Sequence, residues 1–236
     1  MIYITGDTHR RFDRLDKIEN NNNNMIIILG DSGINYFLDD KDIELKEQLQ
    51  KYKFKIFCIQ GNHEERPENI KSYNEIEMFN GRVFIEENYP NLIFAKNGEI
   101  YNINNQSILV IGGAYSIDKR YRIMYGYKWF KNEQLTDKEK GMIINKCSGK
   151  HFDIVLSHTC PKKYEPTEVF IKDLNQSLID KSMEEFLDEV EEKIDYNKWY
   201  CGHFHTDKEI DKIEFMYGNI KKLEKTRKEN QFNFLQ

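Results

Sequence analysis

The sequence predicts an α/β fold built on a mainly parallel β-sheet. Three short apolar segments, residues 1–5, 25–29 and 54–59, have the composition of buried strands, and each is followed by a turn with glycine and polar residues. Segments with helical spacing of apolar residues lie between them, at 12–19 and 39–51. Strand, helix and strand in alternation is the pattern of βαβ units, whose strands are parallel.

The connecting segments of this first part support the same interpretation. Apolar residues three positions apart place one face of the segment 12–19 toward a core; they are Phe12, Leu15 and Ile18. The five asparagines at 20–24 are a low-complexity run and indicate a solvent-exposed loop. The segment 39–51 predicts a charged amphipathic helix with three apolar positions, Ile43, Leu45 and Leu49.

The pattern changes after residue 76. Between 76 and 111, Asn-Gly pairs at 80–81 and 97–98 separate short β-rich runs, which predicts a meander of antiparallel strands. Helices are then predicted at 132–147 and 177–193, and core strands at 152–156 and 196–201, with further strand pairing over 210–217. The apolar positions of the last helix are Leu178, Met183, Phe186, Leu187 and Val190. We therefore expect one domain over 1–218, followed by a charged and loose tail over 219–236.

Composition narrows the classes of protein that are compatible with the chain. It has 236 residues and a formal net charge of −5, which favours a soluble domain and makes a nucleic acid polymer an unfavourable partner. No apolar run approaches the ~18 residues of a membrane span, and we expect no signal peptide in the N-terminal residues. Four widely spaced cysteines form no CxxC pair, so we expect reduced thiols in a cytoplasmic protein; they are Cys58, Cys147, Cys160 and Cys201.

Potential metal ligands follow five of the predicted strands. Because parallel strands bring their carboxyl ends to one edge of a sheet, these side chains can meet in one cleft. The set is Asp7, His9, Asp31, Asn62, His63, His158, His203 and His205. Imidazole, carboxylate and amide oxygen suit manganese, iron, zinc, cobalt or nickel rather than calcium. Their number exceeds the needs of one ion and fits two ions about 3.5–4 Å apart. His151 lies outside the set, and we expect an ordinary surface histidine there.

Five short blocks resemble the calcineurin-like metallophosphoesterase superfamily in order and spacing. They are GDTH at 6–9, GD at 30–31, GNHE at 61–64, SH at 157–158 and GHFH at 202–205, and together they cover roughly residues 1–210. The resemblance implies a four-layer α/β/β/α sandwich, in which two mixed β-sheets face each other between flanking helices. It also implies two divalent metal ions at the edge of the sheets, for which we expect manganese before iron, zinc, nickel or cobalt.

The resemblance further implies a role for each residue of the blocks. The first ion would be held by Asp7, His9 and His205. The second would be held by Asn62, His158 and His203. Asp31 would bridge the two ions, and a hydroxide between them would attack phosphorus. His63 would be the catalytic residue that protonates the leaving oxygen or stabilises charge on the phosphoryl group.

The residues that would contact the substrate are expected on other grounds. Arg10 stands where the family often has glycine, which would place a cation at the mouth of the cleft; Ile34 also departs from the usual Asp or Asn. Arg66 follows His63 closely enough for its guanidinium to reach a phosphate oxygen. The loop 112–130 is rich in aromatic and basic residues, which is typical of a lid over a phosphorylated substrate. Its candidate contacts are Tyr115, Arg120 and Arg122.

These expectations lead to a hydrolase with a phosphorylated substrate. Our first hypothesis is a phosphatase that hydrolyses a monoester, either a phosphoprotein or a small phosphorylated compound. Residues 30–35 do not match the GDxVDRG of true protein phosphatases, which weakens the case for a protein substrate. The second hypothesis is a phosphodiesterase for nucleotides or cyclic nucleotides, which the aromatic loop favours. A non-catalytic, metal-stabilised scaffold is a third, which the presence of every ligand and of His63 disfavours.

Overall fold

The computed structural model describes residues 1–172 and 174–223 of the chain. The strands of these residues are β1 (Ile2–Thr5), β2 (Met25–Ile28), β3 (Lys55–Cys58), β4 (Tyr73–Met78), β5 (Gly81–Glu86), β6 (Leu92–Ala95), β7 (Ile100–Ile103), β8 (Gln106–Ile111), β9 (His151–Ser157), β10 (Asp195–Cys201), β11 (Lys208–Ile210), β12 (Ile213–Phe215) and β13 (Lys221–Lys222). The α-helices are α1 (Asp40–Leu49), α2 (Lys119–Tyr125), α3 (Asp137–Cys147) and α4 (Ser182–Lys193).

The strands form two mixed sheets. The first has seven strands in the order β13-β1-β2-β3-β6-β5-β4, and β1, β2, β3 and β6 within it are parallel. The second has six strands in the order β11-β12-β10-β9-β8-β7, with β8, β9, β10 and β12 parallel. Every residue of β2 is buried, as expected for a parallel strand that is covered on both faces.

Three apolar cores define the layers of the molecule. The core between the two sheets includes Ile4, Ile27, Phe57, Val110 and Leu156. The core between α1 and the outer face of the first sheet includes Ile26, Ile28, Leu45, Leu49 and Phe54. The core between the second sheet and the helices α3 and α4 includes Ile143, Val155, Phe186, Leu187 and Trp199. This arrangement confirms the predicted α/β/β/α sandwich with two mixed sheets.

The segment 76–111 differs from the predicted single meander, because it divides between the sheets. Its first three strands, β4 to β6, complete the edge of the first sheet, and β6 pairs in parallel with β3. Its last two, β7 and β8, belong to the second sheet. The Asn-Gly pair at 97–98 therefore lies where the chain changes sheets, and the pair at 80–81 turns between two antiparallel strands.

Three local predictions also differ in detail. The segment 12–19 forms a 3₁₀ helix over Asp13–Lys17 rather than an α-helix, although Phe12, Leu15 and Ile18 are buried as expected. Ile43 and Leu178 are exposed, because α1 turns its other face inward and α4 begins only at Ser182. Part of the expected tail is ordered, since β13 pairs with β1 and Leu223 is buried. The remainder of the tail, 224–236, lies outside the described residues.

Candidate metal centre

Five loops that follow parallel strands meet at one edge of the sandwich. Three of them follow β1, β2 and β3 in the first sheet, and two follow β9 and β10 in the second. Their side chains are Asp7, His9, Asp31, Asn62, His63, His158, His203 and His205. The site therefore depends on both sheets, and neither sheet alone carries a complete set of donors.

The first donor group consists of Asp7, His9 and His205, whose ligand atoms all lie within 4.8 Å of one another. Nε2 of His205 lies 3.1 Å from Oδ2 of Asp7 and 2.9 Å from Nε2 of His9. The hydrogen bond to Asp7 raises the pKa of His205. Burial acts to raise the pKa of Asp7, but the hydrogen bond from His205 holds it below its usual value. Asp7 thus remains a carboxylate between imidazole nitrogens.

The second group combines Asp31 and His158 with Asp7, again within 4.8 Å. Nδ1 of His158 lies 2.7 Å from the carbonyl oxygen of Leu29, which only accepts hydrogen bonds, so Nδ1 carries the proton. In the neutral ring, Nε2 is then an acceptor, and it lies 2.8 Å from Oδ1 of Asn62. Asn62 keeps this oxygen pointed at His158 because its amide nitrogen donates to Ser116 Oγ at 2.8 Å.

With the ring neutral, Nε2 of His158 and Oδ1 of Asn62 are two acceptors 2.8 Å apart, and two such acceptors repel each other unless a cation lies beside them. The oriented lone pair of His158 and the amide oxygen of Asn62 therefore fit a bound metal ion better than they fit each other. The first group places two imidazole nitrogens, of His9 and His205, 2.9 Å apart and near the carboxylate of Asp7, which is also a donor set for a metal ion. The residues present thus fit the divalent ions that the donor types favour.

Asp7 is common to both groups, and Asp31 of the second group also lies near His9 of the first and near His63. Its Oδ1 accepts from the backbone N–H groups of Asn62 and His63, each at 2.8 Å, and lies 3.6 Å from Nε2 of His158. Its Oδ2 lies 4.0 Å from Nδ1 of His9 and 3.9 Å from Nε2 of His63. Burial acts to raise the pKa of Asp31, but the surrounding histidines and these hydrogen bonds lower it well below its usual value. Asp31 therefore remains charged at neutral pH.

His203 lies beside the second group, with its ring 5.0 Å from that of His158 in a T-shaped arrangement. Its backbone N–H donates to Oδ1 of Asp7 at 3.0 Å, which connects the loop after β10 to the loop after β1. Burial, followed by the proximity of His158, lowers the pKa of His203 to about 3. The ring is therefore neutral, which is the state that a metal ligand requires.

Backbone strain is concentrated in the loops that carry the donors. Positive φ angles occur there at His9 (43°), Arg10 (68°), Asp31 (45°), His203 (66°) and His205 (51°). L-residues adopt this left-handed region at a cost, which the surrounding structure must offset. The donors are thus oriented by the fold rather than by the local preferences of their loops.

Two glycines of the sequence blocks allow the donors to approach closely. Gly30 has a φ of +94°, and a Cβ atom there would lie 2.1 Å from Nδ1 of His158. A Cβ atom on Gly202 would lie 2.4 Å from Oδ1 of Asp7. Both distances are far below van der Waals contact, so these glycines are required by the packing of backbone against donor.

Glu64 supports the loop of Asp31, a role that the sequence analysis did not assign. Its Oε2 accepts from Ser32 Oγ at 2.5 Å and from the N–H of Gly33 at 3.1 Å, and its Oε1 accepts from the N–H of Ser32 at 3.2 Å. Burial raises the pKa of Glu64 to about 7. The sequence signal that could have indicated this role is the position of Glu64 in the GNHE block, immediately after His63.

His63 and Arg122 lie together at the side of the donor cluster. Nη2 of Arg122 is 3.4 Å from Nε2 of His63, and Nε of Arg122 donates to Asp118 at 2.8 Å. Tyr115, from the same loop 112–130, lines a cavity that adjoins the cluster. Arg120 is exposed. The structure thus brings Arg122 and Tyr115 to the site, whereas Arg120 makes no hydrogen bond or ion pair with the residues that the structure describes.

Arg66 has partners elsewhere in the protein. Its guanidinium donates to the carbonyl oxygens of Asn132 and Gln134, at 2.8 Å each, and to Glu139 at 2.6 Å. Glu139 also closes the capping box at the start of α3. Arg66 is buried, so these contacts hold the chain after His63 against α3.

Arg10 is similarly occupied, at the start of α1. Its guanidinium donates to the carbonyl oxygens of Gly33 and Lys41, each at 2.8 Å, and to the buried Asp42 at 2.5 Å. It also lies 4.8 Å from the centroid of the Phe37 ring. The guanidinium groups of Arg10 and Arg66 are thus bound to oxygens outside the donor groups, and phosphate binding by either stays a prediction.

Comparison with known proteins adds one finding. A family model described as calcineurin-like phosphoesterase matches residues 1–207, a range that contains all five sequence blocks. None of the curated proteins matches the sequence. In the described part of the chain, no helix has both the length and the apolar character that crossing a membrane requires.

Proposed function

The chain belongs to the calcineurin-like phosphoesterase family and is thus a metal-dependent phosphoesterase, and we propose that it is a phosphatase for the monoester of a small compound. The observation that supports the reaction is the pair of adjoining donor groups, which share Asp7 and include Asp31. The observation that supports a small compound is a cavity that opens beside these donors.

In this proposal the donors hold two divalent ions. One ion is assigned to Asp7, His9 and His205. The other is assigned to Asn62, His158 and His203. Asp31 is assigned to both, and manganese is proposed first, although the donors also fit iron, zinc, nickel and cobalt. When bound, such ions lower the pKa of water and neutralise charge on phosphoryl oxygens.

The chain's own residues supply the proton and further charge. The oxygen of water bonds to phosphorus while the ester P–O bond breaks, and the departing oxygen takes a proton from His63, which yields an alcohol and inorganic phosphate. His63 is suited to this role because it lines the cavity and lies 3.9 Å from Asp31. Arg122 and the amide nitrogen of Asn62, at 3.4 and 3.3 Å from Nε2 of His63, help to keep its ring in place.

Arg122 favours a monoester over a diester. A phosphate monoester has three terminal oxygens and a second negative charge, whereas a diester has two terminal oxygens and one charge. A guanidinium beside His63 can donate to the additional oxygen, and such charge-assisted hydrogen bonds are the stronger kind. The second candidate is a phosphodiesterase, which the cavity favours because it has room for an additional esterified group.

A comparison of esters tests the proposal. Protein stripped with EDTA and reloaded with Mn²⁺ should hydrolyse p-nitrophenyl phosphate with a kcat/KM about tenfold or more above that for bis(p-nitrophenyl) phosphate. Arg122→Gln should lower the monoester value by about tenfold and the diester value less, because a guanidinium–phosphate contact is lost. Arg82→Gln is the matched control, since Arg82 is exposed on β5. A preference for the diester would favour the second candidate, and no turnover with any of the five metals would refute catalysis.

A further inference from the structure

A cavity of about 380 Å³ adjoins the donor cluster. Its floor includes His63 and His203, and its walls come from the loop after β8, from Phe204, and from residues within 169–171 and 174–184. This volume lies within the range of sites for small molecules. None of the roles assigned above to metal donors or to His63 requires the space beyond the floor.

The walls of the cavity are mostly apolar and include two flat rings. The apolar side chains of these walls include Tyr115, Ile117, Val169, Phe170, Ile179 and Phe204. The rings of Phe170 and Phe204 are nearly parallel, at 17°, with centroids 6.3 Å apart. Phe204 packs edge-on against Phe215 at 5.9 Å, and the ammonium of Lys181 lies 4.8 Å from the Phe170 ring. Rings held in this way suit a planar apolar group, because flat surfaces bury the most area against each other.

Glu184 adds a polar determinant to this wall. It is 3% exposed, and its Oε1 accepts from Thr159 Oγ1 at 2.7 Å. Its Oε2 has no hydrogen-bond partner among the residues that the structure describes. Burial raises the pKa of its carboxyl. A buried polar atom without a partner is costly, so a donor on a bound molecule would be favourable at this position.

The other charged wall residues outside the donor groups have partners. Asp118 accepts from Nε of Arg122 at 2.8 Å through Oδ2, while its Oδ1 has no partner among the described residues. Asp180 accepts from the N–H of Ser182 at 2.9 Å and from Gln134 at 3.0 Å. Lys181, the lysine among the described wall residues, pairs with Glu165 at 2.7 Å. The described wall residues therefore offer no unpaired ammonium group to a second phosphate or a carboxylate, so an anionic group on the occupant is disfavoured.

We propose that this cavity binds the alcohol portion of the substrate, that this portion is a planar and mostly apolar ring system, and that an N–H or O–H group on the ring donates to Glu184. The proposal rests on the phosphatase function proposed above, because the ester oxygen must lie near His63 while the ring lies between the walls. It makes Phe170 and Glu184 determinants of specificity.

Kinetics with matched substrates tests the proposal. The probes are 1-naphthyl phosphate, its 5-amino and 6-amino derivatives, and glycerol 3-phosphate, each compared between variant and wild type so that differences in ester reactivity cancel. Phe170→Ala should lower kcat/KM for the naphthyl esters by about tenfold and leave glycerol 3-phosphate within about twofold. Leu178→Ala is its control, because Leu178 lies in the same segment but is exposed. An equal loss for all substrates would show a merely structural effect and overturn the proposal.

A second variant tests the polar contact. Glu184→Gln keeps the shape of the side chain and the hydrogen bond from Thr159, but it replaces the acceptor Oε2 with an N–H donor. We expect the wild type to have a higher kcat/KM for one amino derivative than for 1-naphthyl phosphate, and Glu184→Gln to abolish this preference. Glu185→Gln is its control, since Glu185 is exposed and pairs with Lys162. If Glu184→Gln does not fold, Glu184→Asp serves the same comparison. An unchanged amino preference, or none in the wild type, would overturn the role of Glu184.

Binding without catalysis separates the cavity from the reaction. The fluorescence of 1-naphthol and 5-amino-1-naphthol, titrated with metal-free protein, should report a dissociation constant that Phe170→Ala raises about fivefold and Leu178→Ala leaves unchanged. Binding with this pattern and no hydrolysis of any ester would retain the ring-binding cavity and refute the phosphatase function. Hydrolysis of the esters without any effect of Phe170→Ala on binding or kinetics would retain the phosphatase function and refute the ring-binding cavity.

Discussion

Replacing Gly30 with alanine tests how the fold positions the donors. Gly30 lies between β2 and Asp31 with a φ of +94°, and a Cβ atom would come within 2.1 Å of Nδ1 of His158. Cβ atoms in proteins essentially never approach closer than 3.0 Å, so the ring of His158 must move by about 1 Å. That movement breaks the hydrogen bond to Leu29 which orients Nε2 toward Asn62.

The magnitude follows from two separable costs. An alanine in the left-handed region costs about 1–2 kcal/mol, and loss of a buried hydrogen bond adds about 1–1.5 kcal/mol. Gly149→Ala carries only the first cost, because Gly149 has a φ of +74° and an added Cβ would meet no described atom within 4 Å. We therefore expect Gly30→Ala to lower the free energy of unfolding by about 3 kcal/mol, and Gly149→Ala to lower it by about half as much.

The same displacement should weaken metal binding. Urea unfolding measures the two free energies, and isothermal titration calorimetry measures the affinity of metal-free protein for Mn²⁺. Gly30→Ala should bind Mn²⁺ at least about tenfold more weakly, as loss of a ligand's orienting contact does, while Gly149→Ala should match the wild type. Equal destabilisation by both substitutions, or an unchanged Mn²⁺ affinity in Gly30→Ala, would refute the argument from close packing.

Three further predictions address the metal, the proton donor and a buried arginine. EDTA should abolish hydrolysis of p-nitrophenyl phosphate and lower the melting temperature, and Mn²⁺ should restore both, since an ion that binds only the native state stabilises it; activity that resists EDTA would contradict the two-ion proposal. His63→Ala should lower kcat by about 10² or more with unchanged manganese content by atomic absorption; loss of the metal would assign His63 to coordination instead. Arg66→Met should lower the free energy of unfolding by about 2–3 kcal/mol, because three contacts are lost. Its KM should stay within about twofold of the wild type, and a large rise in KM would support the phosphate contact expected from the sequence.

The donor loops could be located from the sequence because their signal is local. Each donor follows an apolar run within a few residues, and parallel strands bring such ends together wherever they lie in the chain. The strand before Asp31 illustrates this, since its apolar residues are buried on both faces, as their pattern indicates. The division of 76–111 between two sheets had no such signal, because Asn-Gly pairs occur both within a hairpin and between the sheets.

The substrate contacts were harder to assign, because the position of an arginine in the sequence does not show which groups its guanidinium binds. Arg10 and Arg66 both lie near donors in sequence, yet their guanidinium groups bind oxygens of 33–42 and 132–139. Arg122 is further from every block in sequence and nevertheless contacts His63. Which guanidinium groups remain available near the donors is decided by contacts between distant segments.

The sequence by itself determined the types of donor, their positions after strands and hence the class of reaction, since ligand chemistry resides in the side chains and strand ends are set by local pattern. Only the tertiary structure decided how the two sheets face each other, which donor atoms lie within contact distance of each other, and where a cavity opens beside them. These features depend on the packing of residues far apart in the chain, such as Phe170 on Phe204 and Glu184 on Thr159. The class of reaction could therefore be predicted from the sequence, whereas the candidate substrate pocket could be identified only in the folded structure.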